Sequence, residues 1–263
     1  MLSARLLRRA ASESTLKSAR TFSAASTSSV PDVTLYNYHI CPFCSIPKTL
    51  MNYANIDYKA IEVNPLTKAE IKFSKEYRKV PIAIIDGDQI NGSKEITDLL
   101  LTNSKVIDNI AAKNDLTMEE FTNSDHAQQW EAFAKDELGT IMYPNICSSL
   151  GKSFEAFGYV NNVDEFTGVQ KAMIRGVGSL AMYFAASKIK SKRNITDERE
   201  ALNEALTKWE EEGMNHDQID MGHLAMYAVM KSVSDLSTHK EAIVDRGGPL
   251  LEWYKHMEHE VSK

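Results

Sequence analysis

From residue 33 onward, short apolar runs give way repeatedly to stretches with helical spacing. Val33-Thr34-Leu35-Tyr36 predicts a strand, and Lys48 to Tyr53 a helix whose apolar side is built by Leu50, Met51 and Ala54. Pro47 is tolerated if the first helical turn begins near Cys44 or Ser45, and kinks the helix otherwise. Tyr58 to Val63 alternates as a second strand, broken by Asn64-Pro65. Thr67-Lys68-Ala69-Glu70 has the spacing of a capping box and predicts a short helix through Phe73. Val80-Pro81-Ile82-Ala83-Ile84-Ile85 reads as an apolar strand, Asp86-Gly87 as a hairpin turn and Gln89-Ile90-Asn91 as its partner. Ser93 then opens a helix with Ile96, Leu99 and Leu100 on one face.

Strand, helix, strand, helix, hairpin, helix is the order of a thioredoxin-like domain of the glutaredoxin type, assigned to residues 31–103. Residues 104–123 are polar and irregular and read as a linker. The remainder, 124–263, is predicted to be all helix: His126 to Leu138, Val163 to Lys190, Thr196 to Glu212, Asp220 to Val233 and roughly 249 to 261. Gly176 and Gly178 are expected to allow close helix packing, and the aromatics of these segments to form core. There is no internal repeat.

Composition narrows the class only slightly. Of 263 residues, 43% are apolar and 25% charged, the balance of an ordinary globular chain with room for two small domains. The leader is different. Residues 1–29 carry Arg5, Arg8, Arg9, Lys17 and Arg20 against the single acid Glu13, among eight serines. An acid-poor, Arg- and Ser-rich leader is expected to be a mitochondrial transit peptide over residues 1–30, a plastid address being the lesser alternative. Removing its surplus of four cations from the overall −6 leaves about −10 for the rest, a poor charge for a nucleic-acid partner. The cations Lys188, Lys190, Lys192 and Arg193 cluster where a helix end favours them. No apolar stretch reaches the eighteen or so residues needed to span a bilayer; Val177 to Ala186 is the most apolar and is far too short.

The chemistry lies in Tyr38-His39-Ile40-Cys41-Pro42-Phe43-Cys44, directly after the first strand. At a strand-to-helix corner the free amides of the first turn and the helix dipole favour thiolate over thiol, whereas free cysteine, with a pKa near roughly 8.5, is mostly protonated at neutral pH. Cys41 is the candidate nucleophile. A zinc site would need a second cysteine pair or suitably spaced histidines, and the only other cysteine is Cys147. Three cysteines also argue against a disulfide-stapled fold.

Cys41-Pro42-Phe43-Cys44 with Tyr38 three before, Glu62-Val63-Asn64-Pro65, Ala69 to Ser74 and Tyr77-Arg78-Lys79-Val80-Pro81-Ile82 together resemble the membrane-associated prostaglandin E synthase type 2 family. Ala181-Met182-Tyr183 and Leu224-Ala225-Met226-Tyr227 extend the likeness, which spans roughly Val33 to the C-terminus. The resemblance implies a glutathione-transferase-like helical second domain, and a cis Pro81 facing Cys41. It also implies a glutathione site in which Val80 pairs with the cysteinyl backbone and Ser93, following Gly92, binds the γ-glutamyl carboxylate. Lys79 or Arg78 would meet the glycyl carboxylate. Cys41 and Tyr38 match the residues expected to isomerise a prostaglandin endoperoxide. With Cys44 as resolving thiol, the same corner suits glutathione-dependent thiol-disulfide exchange; a module that binds glutathione or haem without catalysis is a third reading. The substrate would be a small lipid peroxide or a disulfide, and relatives are homodimers. Asp220-Met221-Gly222-His223 departs from the transferase pattern, because His223 stands where an acid is usual and puts the buried capping network in doubt.

Overall fold

In a computed structural model that describes residues 29–214 and 218–262, four strands and thirteen helices build the molecule. The expected leader lies outside the described residues, save for its last two positions. Strand β1 (Val33–Asn37) leads into α1 (Pro42–Tyr53), followed by β2 (Lys59–Glu62), β3 (Ile82–Ile85), β4 (Asp88–Asn91) and α2 (Ser93–Leu100). The sheet runs β2-β1-β3-β4, with β1 parallel to β2 and antiparallel to β3, which is in turn antiparallel to β4. This is the thioredoxin-like arrangement expected from the element order. In β1 every second residue is buried, Val33, Leu35 and Asn37, as a sheet with helices on it requires.

The stretch taken for a linker instead carries α3 (Ser104–Ala111) and α4 (Met118–Asn123). Its polar residues are caps. Asn103 accepts from the Lys105 and Val106 amides, and Thr117 closes a capping box with Glu120. Conversely, the Thr67–Glu70 box does not form. Glu70 reaches back to the Asn64 amide, Asn64 Oδ1 takes the Leu66 and Thr67 amides, and the segment closes as one 3₁₀ turn at Ala69–Ile71. Helix α1 begins at Pro42, so Pro47 lies inside it and withholds an amide from the Phe43 carbonyl.

Helix α5 (Asp125–Phe133) runs through a wider π turn into α6 (Gly139–Ile146), and α7 (Leu150–Ala156) follows. The predicted Val163 helix begins later, as α8 (Gly168–Met173), and passes another π turn into α9 (Ser179–Arg193). A Cβ at Gly178 would lie 3.5 Å from the Phe157 ring, whereas one at Gly176 would meet open space, so only one of the two glycines lies at a helix contact. Then come α10 (Glu198–Glu212), α11 (Met221–Lys231), the short α12 (Ser237–His239) and α13 (Gly248–Val261).

Helix α11 is the axis of the molecule. Met221 to Met230 are all buried, and the helix packs on both α1 and α5, joining the two halves in one core. Gly222 allows this approach, since a Cβ there would lie 2.9 Å from Trp130 Cβ. The capping network at its start survives the loss of the acid. Asp220 Oδ1 accepts from the His223 amide at 3.0 Å and contacts His223 Nδ1 at 2.9 Å, so histidine takes the place of the acid in the box. Asp220 Oδ2 meets His126 Nδ1 at 2.6 Å, and His126 Nε2 meets the Gly213 carbonyl at 2.8 Å.

Both ring nitrogens of His126 therefore face acceptors, an arrangement only the imidazolium satisfies. Burial pulls its pKa down, but Asp220 and the Gly213 carbonyl outweigh it and the result is raised. Burial also pushes the Asp220 carboxyl up, while bonds from His126 and His223 outweigh that and hold it below the usual carboxylate range. A raised histidine pKa stabilises the fold fully below about 6.5 and is lost as pH climbs through the folded value. Urea midpoints measured from pH 6 to pH 9 should fall with pH in the native protein. His126→Ala should lower stability by about 2–4 kcal/mol at pH 6 and flatten that dependence.

Candidate active site at the cysteine corner

Cys41 is the N-cap of α1, in extended conformation at the end of the loop from β1, and Pro42 occupies the first helical position, where a missing amide costs nothing. The Cys41 amide is held by the Tyr38 carbonyl at 3.1 Å, and its own carbonyl takes the Cys44 and Ser45 amides. Both thiols are free and buried, Cys41 at 5% exposure and Cys44 at 0%.

Four groups near Cys41 favour its thiolate: the Cys44 thiol, the Cys44 and Phe43 amides, and the Tyr143 hydroxyl. The Cys44 bond has the largest effect, and together they overcome burial and hold the Cys41 thiol below its ordinary range. Cys44 goes the other way. Burial and the neighbouring Cys41 sulfur push it well up, so it stays a thiol and donates. One sulfur is prepared as thiolate and the other as its hydrogen-bond donor.

Tyr38 lies near both sulfurs, packed with Tyr36, Tyr77 and Val80 over Val63, Ile71 and Ile82. Burial, then the two sulfurs, push its phenol up to about 12, so it remains protonated. A second phenol that lowers the Cys41 thiol is that of Tyr143 in α6, a residue absent from the sequence reading. It lies between the predicted helices, beyond Leu138, and nothing local links it to a cysteine a hundred residues away. One turn earlier on the same face, Gly139 lies beside the corner: a Cβ there would make ordinary contacts, 3.7 Å from the Phe43 ring and 3.8 Å from Pro42 Cβ.

On the other flank, Val80-Pro81 is cis, Val80 is half-buried and Pro81 buried. The Pro81 carbonyl holds the Gly92 amide at 3.0 Å, and Gly92, at φ 99°, is the N-cap of α2. Ser93 is therefore the first residue of α2 rather than its cap, and its half-buried side chain bonds no amide of that helix. Lys79 is exposed. Arg78 points inward, its guanidinium on the Ile71, Ser74 and Lys68 carbonyls.

Across the corner from Val80, a cavity of about 430 Å³ opens between the two halves, lined by His39, Ile40, Glu62, Tyr159, Asp235 and Leu236 among others. Glu62 accepts from the His39 amide and the Asn37 side chain, and from the Tyr159 hydroxyl. Burial pushes its carboxyl up to about 7. His39 stacks on Tyr159 and is bonded to Asp235 at 3.1 Å.

A thioredoxin-like sheet with a cysteine corner opposite a cis proline, docked on a helical domain, defines the glutathione-transferase and glutaredoxin class of fold. Residues 35–105 match the glutathione S-transferase N-terminal domain. A glutathione S-transferase of Ceriporiopsis subvermispora in complex with glutathione superposes with a TM-score of 0.54 at 13% identity, covering 87% of this chain and 97% of that one. Glutaredoxin 2 of Salmonella typhimurium, also with glutathione, gives 0.50 at 14%, covering 87% and 94%. Prostaglandin E synthase 2 of Mus musculus is 29% identical over 88% of this chain and 71% of its own length, and that of Danio rerio 27% identical over 86% and 70%. The chain is thus similar to these prostaglandin E synthase 2 proteins over most of its length.

The donor set assigns the two thiols distinct roles. Cys44→Ser replaces the thiol by a hydroxyl of different reach and acidity and should raise the Cys41 pKa. Iodoacetamide labelling of Cys41 at pH 7 should slow several-fold, with the native protein modified at Cys41 and not at Cys44 in peptide mapping.

Proposed function

We propose that the protein is a glutathione-dependent isomerase of the prostaglandin E synthase kind, converting a prostaglandin endoperoxide to prostaglandin E through Cys41. The observation that carries this reading is the set of groups favouring one thiolate in a chain whose relatives bear that name. In the reaction, the Cys41 thiolate attacks one peroxide oxygen, forming an S–O bond as the O–O bond breaks, and the other oxygen departs as alkoxide, whose developing charge the Tyr38 phenol, kept protonated by burial, hydrogen-bonds. The carbon bearing the sulfur-bound oxygen then gives up its proton to that alkoxide, and its C–H electron pair becomes the carbonyl as the S–O bond breaks and the thiolate is restored.

Glutathione fits the opposite flank. The half-buried Val80 backbone beside the cis proline offers pairing to the cysteinyl backbone, and Ser93 with the first amides of α2 suits the γ-glutamyl carboxylate, with Gly92 shaping that turn. Exposed Lys79 would meet the glycyl carboxylate, and Arg78, turned to the carbonyls of its own loop, would not. Glutathione supplies a thiol; the chain's own residues bind and orient it. The leader would direct the chain to mitochondria, and the working unit would be a homodimer.

One observation favours a second activity, thiol-disulfide exchange. Cys44 is retained beside Cys41 as a protonated thiol, which is how a resolving cysteine waits. The purified protein with glutathione should be offered an endoperoxide and a mixed glutathione disulfide. Isomerisation should vanish in Cys41→Ser and persist within a few-fold in Cys44→Ser. Equal loss in both variants, with turnover of the disulfide alone, would replace the isomerase by the reductase.

A further inference from the structure

The reactive sulfur stands at the end of a short turn, and that turn is tied down by a carboxylate from the neighbouring strand. We propose that Glu62 is a positioning residue for Cys41, its carboxylate prolonging the β1–β2 ladder through a side chain so that the Asn37–Cys41 turn keeps the sulfur in line with its substrate. The role rests on the reading of Cys41 as the reactive sulfur.

Glu62 closes β2 opposite Asn37, the last residue of β1, and just past this pair the Val63 amide bonds the Asn37 carbonyl at 2.9 Å. Beyond that bond β1 turns away, and side chains take over. Glu62 Oε1 accepts from the His39 amide at 2.9 Å, and Oε2 accepts from Nδ2 of the buried Asn37 at 2.8 Å. Two residues on, the Cys41 amide bonds the Tyr38 carbonyl at 3.1 Å. Asn37, His39 and Cys41 are thus each fixed, the first two by one carboxylate. The His39 ring is held separately, by Asp235 at 3.1 Å and by stacking on Tyr159, so the sheet grips its backbone and the helical half its side chain.

Two N–H groups on two oxygens call for a carboxylate. A protonated acid or an amide would turn a donor toward one of them. Burial pushes the Glu62 carboxyl up to about 7 and Glu70 adds to this, while the His39 amide and Lys48 of α1 pull it down. The cavity beside it brings Tyr159, Glu155 and Asp235 from the helical half, and the corner brings the His39 ring and Tyr38. The tie is complete above that pH and loosens as pH falls through it.

The measurement compares two reactions of Cys41 in the reduced protein, native and Glu62→Gln. Iodoacetamide needs only an ionised sulfur, whereas glutathione disulfide must also lie in line with it: the thiolate attacks one sulfur, the S–S bond breaks and a glutathione thiolate leaves. The ratio of the second rate to the first therefore reports placement, with ionisation divided out. Glu62→Gln should lower that ratio about tenfold at pH 8. The native ratio should fall as pH drops through about 7, and that of the variant should stay flat. His39→Gln keeps the bonded amide and should retain the native profile, which assigns the step to the carboxyl even where Glu62→Gln fails to fold. A ratio unchanged in Glu62→Gln, a native ratio independent of pH between 6 and 8, or a profile abolished by His39→Gln would overturn the role of Glu62. A native Cys41 inert to both reagents would instead overturn the reading of Cys41 itself.

Discussion

A buried sulfur does not ionise unless something replaces water around it, and here the replacement is four groups drawn from three parts of the chain. Two are amides of the first turn of α1, one is the second cysteine, and one is a phenol from a helix a hundred residues on. Each arrives because of a separate structural decision. Pro42 starts the helix at Cys41, the Cys-x-x-Cys spacing brings the Cys44 thiol one turn round beneath it, and α6 lies against Pro42 and Phe43 at Gly139. Removing any one of these leaves the others solvating a poorer anion.

The same logic explains why the two halves share one core. Helix α11, buried along ten consecutive residues, is gripped by α1 on one side and α5 on the other, and α1 carries the cysteines at its other end. Asp220 anchors the start of α11 through His223 and the charged His126, so the helix that fixes α1 is itself fixed by an ion pair inside the helical domain. The link from fold to chemistry therefore runs through packing, from the cap of α11 to α1 to the sulfur.

Much of this was legible in the residues. Strand alternation and the Asp86-Gly87 turn located the sheet, and Cys41-Pro42-Phe43-Cys44 located the corner, because those signals are local and steric. The misreadings share a cause. Asn103 and Thr117 looked like loop polarity and are helix caps, while Thr67 and Glu70 had cap spacing and serve Asn64 instead, since only the tertiary partner decides what a short polar side chain bonds. Arg78 looked free for a ligand and is turned to its own loop. Tyr143 and Glu62 were invisible as site residues because their neighbours at the corner are distant in sequence or lie on the next strand.

The account stands on the charge of one atom. Ultraviolet absorbance near 240 nm, followed against pH in the native protein and in Cys41→Ser, reads thiolate formation directly. A single ionisation present in the native protein, absent in the variant, and with its midpoint below the ordinary thiol value is the predicted result. A Cys41-dependent transition at or above the ordinary thiol value of roughly 8.5 would contradict it.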